Sequence, residues 1–104
     1  MAFVKVGTLG ELPAGTVSEA IVDGNAYALC NVGGEIHALW GTCPHAHGPL
    51  GQGHLQGSSV FCPWHEWAFD CRTGRHEFLE AARVDRFVVR VEDGNILLDP
   101  ETHA

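Results

Sequence analysis

The sequence of 104 residues has few basic residues, and nearly all of them lie late in the chain. Lys5 is the single lysine, and no further lysine or arginine occurs before Arg72. Thirteen acidic residues against six basic ones give a formal net charge of −7. Nucleic acids and anionic membrane surfaces both bind clusters of lysine and arginine. This composition therefore argues against either of them as the main partner.

Long apolar segments are also absent. No stretch approaches the roughly 20 apolar residues that a membrane helix needs. Gly7 interrupts the beginning of the chain before an apolar run as long as that of a signal peptide can develop. We therefore expect a soluble cytoplasmic protein. In that reducing compartment, its four cysteines are better explained as metal ligands than as two disulfides.

Turn-forming residues divide the chain into short β-strand signals, and no long segment keeps a helical period. Glycine pairs or Asp-Gly pairs bracket two predicted hairpins. At most, residues 77–83 could form one or two helical turns. We predict one all-β domain over residues 1–104, a small antiparallel sandwich or barrel. The predicted strands are Ala2–Val6, Thr16–Val22, Ala26–Val32, Glu35–Trp40, Val60–Cys62, Trp67–Asp70, Val84–Val91 and Asn95–Leu98.

The middle third of the chain is too rich in glycine, proline and histidine for core strands. Residues 41–57 are predicted to form a long loop, and residues 63–66 a second, shorter loop. Long loops in compact domains usually carry function. We therefore place a two-loop binding subdomain at about residues 41–70.

These two loops carry paired metal-ligand types. Cys43 and His45 form a Cys-x-His pattern, and Cys62 and His65 form a Cys-x-x-His pattern. A thiolate and an imidazole from each loop suit iron or zinc better than calcium or magnesium. Structural zinc sites generally use Cys-x₂₋₄-Cys pairs, which a Cys-x-His half matches poorly. A zinc-stabilised binding module nevertheless remains an alternative.

The two patterns together resemble the Rieske-type [2Fe–2S] proteins, and in particular the small soluble Rieske ferredoxins of bacterial ring-hydroxylating oxygenases. The resemblance extends over almost the whole chain. It rests on Gly48-Pro49-Leu50, Cys62-Pro63-Trp64-His65, Trp67-Ala68-Phe69-Asp70, Thr73-Gly74 and Val91–Ile96, besides the first Cys-x-His pattern. The resemblance implies a Rieske-like fold with one [2Fe–2S] cluster.

The resemblance also implies the ligands and the function. Cys43 and Cys62 would bind one iron through sulfur, and His45 and His65 would bind the other through nitrogen. The protein would then be a monomeric electron carrier with no catalytic residues of its own. It would take single electrons from a flavin-dependent reductase and pass them to a terminal oxygenase. An alternative is the small subunit of an assimilatory nitrite reductase, which shares the fold but often lacks the cluster ligands.

Several positions depart from the family pattern. Gly48 and Trp64 occupy the positions where respiratory Rieske proteins have disulfide-forming cysteines, so we expect no such disulfide. We interpret Cys30 and Cys71 as free thiols. A third loop covers the cluster in relatives and often contains prolines, which the matching residues 78–83 lack. His47, His54, His76 and His103 are predicted to lie at the surface.

The resemblance places the partner contact around the histidine ligands. Between Val6 and Cys71 every charged residue is acidic. We expect Glu66 and Asp70 to steer a partner toward this end of the molecule, since exposed charges mainly increase encounter rates. Pro49 and Leu50 are expected to supply an apolar rim.

Overall fold

The computed structural model describes residues 3–44, 47–64, 67–77, 79 and 82–104. These residues form nine β-strands and two short 3₁₀ turns, at Leu9–Glu11 and Leu50–Gln52. The strands are β1 Val4–Thr8, β2 Val17–Val22, β3 Asn25–Val32, β4 Glu35–Trp40, β5 His54–Gln56, β6 Ser59–Phe61, β7 Ala68–Asp70, β8 Arg86–Glu92 and β9 Asn95–His103. The predicted all-β class is confirmed.

Six strands form one antiparallel sheet, the large sheet, in the order β1-β9-β8-β4-β3-β2. It curls so that its two edge strands, β1 and β2, come into contact. Three two-residue turns connect its hairpins, and positive φ at both central residues is typical of type I′ turns. These residues are Asp23 (51°) and Gly24 (81°), Gly33 (59°) and Gly34 (101°), and Asp93 (52°) and Gly94 (77°). The predicted hairpins are therefore present.

Three strands of three residues each form a second antiparallel sheet, the small sheet, in the order β5-β6-β7. Strand β5, His54–Gln56, lies inside the segment that we predicted to be a loop, so that prediction was wrong for these residues. Two of its three side chains are exposed, which explains why no apolar pattern marked it. Its register is set by β6, with Leu55 opposite Val60.

Two hydrophobic cores lie on opposite faces of the large sheet. Along β3, Ala28 and Cys30 face one core, whereas Tyr27 and Leu29 face the other, as the two-residue period of a strand requires. The first, which we call the cysteine core, lies between the large sheet and the small sheet. It comprises Ala28, Cys30, Val32, Leu39, Cys43, Leu50, Val60, Cys62, Phe69, Cys71 and Val84. The second, the sheet core, comprises Leu12, Ala20, Val22, Tyr27, Leu29, Ala38, Phe87, Ile96 and Leu98.

The segment after β7 is not helical where the structure describes it. Arg83 pairs with Arg75 in an antiparallel bridge, and the backbone N–H of His76 donates to the carbonyl of Ala82 over 3.0 Å. The prediction of one or two helical turns at residues 77–83 is thus wrong for residues 77, 79, 82 and 83, and the remainder lies outside the described residues. Within the described ranges, no helix is long and apolar enough to cross a membrane.

Candidate metal centre

The first cysteine loop, residues 41–50, leaves the end of β4 and turns back on itself. An antiparallel bridge joins Thr42 to Pro49 at its base. The backbone N–H of Cys43 donates to the carbonyl of Gly48 over 2.9 Å, and the N–H of His47 donates to the carbonyl of Cys43 over 2.8 Å. His47 has a φ of 58°, which a non-glycine residue adopts only where the chain must turn sharply. These bonds orient the Cys43 side chain toward the interior.

The second cysteine loop, residues 62–67, leaves the end of β6 and is closed in the same way. The backbone N–H of Cys62 donates to the carbonyl of Trp67 over 2.8 Å. In both loops, the cysteine amide therefore bonds to a carbonyl five residues later. Two loops of like construction consequently present one cysteine each at the same place in the fold.

The two loop cysteines meet in the cysteine core. Both side chains are fully buried, and their thiol groups are in hydrogen-bonding contact. The backbone of the first loop also packs against side chains of the second, since a Cβ at Gly48 would lie 2.7 Å from Sγ of Cys62 and 3.0 Å from Cγ of Trp64. Glycine is therefore required at position 48 for the two loops to approach. The structure brings together two of the four predicted ligands.

The electrostatics of this pair favour a bound cation. Burial raises the pKa of the Cys62 thiol above its ordinary value. The backbone N–H of Trp64 donates to this sulfur and opposes the increase, while the neighbouring Cys43 adds to it. Two adjacent buried thiolates repel each other and have lost their hydration, so they need a positive partner to coexist. Ferric or ferrous iron, or zinc, would supply that charge.

The other two predicted ligands, His45 and His65, lie outside the described residues. In the described ranges, no group of three or more Cys, His, Asp or Glu side chains comes together as a metal site. The described part of the donor set is therefore its two sulfurs. Those sulfurs fit an iron–sulfur cluster, since both are buried, adjacent and held by closed loops.

The surface next to the two cysteines differs from the expected docking rim. Leu50 is fully buried and cannot form an apolar rim, whereas Trp64 is 50% exposed beside Cys62. Asp70 accepts hydrogen bonds from the Ser58 hydroxyl, at 3.4 Å, and from the backbone N–H of Arg72, at 2.7 Å. Its carboxylate therefore organises a turn and does not point freely to a partner. Glu66 lies outside the described residues.

The remaining two cysteines form a second pair of thiols. Cys30 on β3 and Cys71 after β7 are both fully buried and both reduced. A hydrogen bond with Cys71 raises the pKa of Cys30 far above its ordinary value, and burial adds to this. The Cys30 thiol therefore stays neutral, which is the behaviour of a packed thiol rather than of a ligand or nucleophile.

Among the histidines expected at the surface, His76 is the one whose position was predicted wrongly. Instead of lying at the surface, its ring is half-buried and packs edge-on against Trp67, with ring centroids 4.6 Å apart. No ligand spacing or apolar period pointed to this position. Its contacts arise only where the segment after β7 folds back along the small sheet.

Comparison with known sequences identifies related proteins over nearly the whole chain. Residues 2–88 match the profile of the Rieske [2Fe–2S] domain. The ferredoxin component of biphenyl 2,3-dioxygenase from Rhodococcus jostii (strain RHA1) is 36% identical over 102 residues, which cover 97% of this chain and 95% of that protein.

Solved structures give the same result. The ferredoxin of carbazole 1,9a-dioxygenase from Nocardioides aromaticivorans IC177 has a TM-score of 0.87 at 30% identity, covering 97% of this chain and 100% of that chain. A chain in the complex of reduced oxygenase and oxidized ferredoxin in carbazole 1,9a-dioxygenase has a TM-score of 0.87 at 27% identity, covering 96% and 94%. Similarity in sequence and in backbone therefore extends over the same residues.

Proposed function

Since the chain belongs to the Rieske [2Fe–2S] domain family, we propose that it is the electron-carrying ferredoxin of an aromatic-ring-hydroxylating oxygenase system. It takes single electrons from a flavin-dependent reductase and passes them to a terminal oxygenase, in the cytoplasm and as a monomer. This proposal rests on the match to a dioxygenase ferredoxin component over nearly the full length of both chains. The complex of an oxygenase with its ferredoxin in the carbazole system supports the oxygenase as one partner.

We assign one cluster to the subdomain at about residues 41–70. Cys43 and Cys62 bind one iron through their sulfurs, and His45 and His65 bind the other through imidazole nitrogens. A [2Fe–2S] cluster supplies a one-electron acceptor, and two histidines in place of two cysteines raise its reduction potential. The contact between the two buried thiols, one from each loop, supports the cysteine half of this assignment.

The surrounding residues prepare the site for negative charge on sulfur. The backbone N–H of Trp64 donates to the Cys62 sulfur, which favours the thiolate. The amide bonds that close the two loops hold both cysteines at the site. Burial keeps water from the sulfurs, and hydrogen bonding and solvent exposure are two of the factors that set a cluster's potential.

Metal analysis of the purified protein tests the cofactor. We expect about two irons and two acid-labile sulfides per chain, a red-brown colour, and their loss in His65→Ala, because metal binding and loop folding are coupled. A colourless protein that contains zinc would show that it is a zinc-stabilised module instead. Full cluster content in His65→Ala would remove that residue from the ligand set.

Electron transfer tests the role. With NADH and the reductase of a biphenyl dioxygenase system, the cluster should be reduced, and the terminal oxygenase should then reoxidise it. An iron-containing protein that exchanges electrons with neither would contradict the ferredoxin assignment. It would favour an accessory subunit such as that of an assimilatory nitrite reductase.

A further inference from the structure

The segment that follows β7 folds back on itself beside the small sheet. Arg75 and Arg83 face each other in an antiparallel bridge, and the N–H of Val84 donates to the carbonyl of Gly74 over 2.8 Å. We call the described residues of this segment, 75–77, 79, 82 and 83, the return segment. The beginning of this segment pairs with β7, since His76 forms an antiparallel bridge with Phe69. The return segment thus extends the small sheet next to the second cysteine loop.

His76 lies at the junction between this segment and the second cysteine loop. Its backbone N–H donates to the carbonyl of Ala82 over 3.0 Å. Its ring Nδ1 accepts the backbone N–H of Leu79 at 3.1 Å. A ring nitrogen that accepts carries no proton, so this contact requires the neutral imidazole with its proton on Nε2. His76 is therefore joined to later residues of the return segment through both its backbone and its ring.

The same ring contacts the aromatic residues on the other side. It packs edge-on against Trp67, at 4.6 Å and 77°, and against Phe69, at 5.5 Å and 89°. Edge-to-face packing at these distances is favourable for aromatic rings. Trp67 is also the residue whose carbonyl accepts the Cys62 amide and closes the second cysteine loop. A continuous series of contacts therefore runs from Leu79 through His76 and Trp67 to Cys62.

We propose that His76 is a positioning residue that holds the return segment against the second cysteine loop, and thereby holds Cys62 in its ligating position. This proposal rests on the proposed function in one respect only, namely that Cys62 binds the cluster. The aromatic contact could be made by other rings, whereas the bond from Leu79 needs an acceptor at the position of Nδ1. The acceptor is therefore the feature that distinguishes a positioning role from simple packing.

Two substitutions separate the acceptor from the ring. His76→Phe keeps an aromatic ring against Trp67 and removes the acceptor. His76→Asn loses the ring but places a side-chain oxygen near the position of Nδ1. His54→Phe is the matched control, because His54 is also a sheet histidine whose ring stacks on an aromatic neighbour, Phe61, at 5.1 Å.

Hydrogen exchange of the holoprotein, followed in the peptide that contains Leu79, reads out the bond directly. Loss of one hydrogen bond should accelerate exchange of this amide roughly three- to tenfold in His76→Phe. Exchange should stay near the wild-type rate in His76→Asn and in His54→Phe. A shift in the midpoint potential should accompany the faster exchange, since Cys62 then loses its support. Wild-type exchange in His76→Phe, or equal acceleration in His76→Asn, would overturn the proposal.

A measurement on the unsubstituted protein keeps the test independent of whether a variant folds. The ¹⁵N shifts of the His76 imidazole should show a hydrogen-bonded, unprotonated Nδ1 and a protonated Nε2 at neutral pH. A proton on Nδ1 would refute the proposal outright. Because exchange and tautomer need no partner protein, failure of the ferredoxin assignment would leave both readouts interpretable.

Discussion

The large sheet and the small sheet are held together in different ways. The large sheet has strands of five to nine residues, and three of its strand pairs, β2-β3, β3-β4 and β8-β9, have antiparallel registers six residue pairs long. The small sheet has strands of three residues each and is bordered by the two cysteine loops. A ladder that short contributes little stability by itself, since isolated hairpins are marginal in water. The stability of the small sheet must therefore depend on its packing in the cysteine core and on the contact between the two cysteine loops.

The two cores show the same difference in their chemistry. The sheet core is aliphatic and aromatic, with Tyr27 packed edge-on between Trp40 and Phe87. The cysteine core contains all four cysteines of the chain. Apolar burial stabilises the first core whatever is bound, whereas two adjacent buried thiols gain most when a metal takes their protons. One region folds by packing, and the other completes its folding on ligation.

Of the substitutions considered, Cys62→Ser should have the largest effect, and it should affect the cysteine core without unfolding the large sheet. A serine oxygen is a harder and poorer ligand for iron than a thiolate, so we expect nearly complete loss of iron while the β-sheet circular dichroism of the large sheet remains. Cys71→Ser is the control, because Cys71 is equally buried but forms its hydrogen bond with Cys30 and not with the loop cysteines Cys43 and Cys62. Equal iron loss in both variants, measured by metal analysis, would contradict the distinction between the two cysteine pairs.

Gly48→Ala should weaken the cysteine loops without removing a ligand. The added methyl group would lie 2.7 Å from Sγ of Cys62, and overpacking of this kind costs about 1–3 kcal/mol. We expect lower iron content and a changed visible spectrum. Gly10→Ala is the matched control, since a Cβ there meets its nearest atom, Oγ1 of Thr8, at 3.9 Å. Normal iron content in Gly48→Ala would show that the loops can separate without cost.

Leu98→Ala tests the opposite region. Leu98 is fully buried in the sheet core, and such truncations destabilise a domain by about 2–5 kcal/mol. We expect a lower urea midpoint with an unchanged visible spectrum, because the cavity opens on the face of the sheet away from the cysteines. Ile21→Ala, at a side chain that is 61% exposed, should have little effect. A spectral change in Leu98→Ala would mean that the two cores are not independent.

Arg72→Ala should have the smallest effect, at the junction of the two regions. Arg72 Nε lies 3.1 Å from Oε1 of Glu35, linking the turn after β7 to the start of β4. The guanidinium, followed by His37, holds the pKa of Glu35 below its ordinary value of 4.5. A depressed carboxyl pKa stabilises the fold above the unfolded-state value, and this contribution disappears as the pH falls through the folded-state value.

Urea unfolding at two pH values checks this prediction. Both partners are more than half exposed, so the stability difference between wild type and Arg72→Ala should be slight at pH 7 and absent at pH 3. Arg90→Ala, which breaks a pair with Glu92 within a single strand, is the control. A difference that grows as the pH falls would have the wrong sign for this ion pair.

Much of the large sheet could be read from local sequence. Asp23-Gly24, Gly33-Gly34 and Asp93-Gly94 prefer positive φ, and each marks a hairpin that the structure contains. Strand β5 and the C-terminal part of β9 were missed because their pairing partners, and not their own polar side chains, hold them in the sheet. At most one or two helical turns were expected at residues 77–83 from the apolar period, but the described residues 82 and 83 pair with residues 75 and 76 instead.

The sequence by itself determined which residues could bind a metal, because thiolate and imidazole chemistry belongs to the side chains and their spacing to the chain. It also determined the strand-rich class and the family resemblance. Only the tertiary structure decided that Cys43 and Cys62 touch, that Gly48 must lack a side chain, and that His76 connects the return segment to the second cysteine loop. Contacts between residues far apart in sequence depend on how the sheets pack, and no local pattern records that packing.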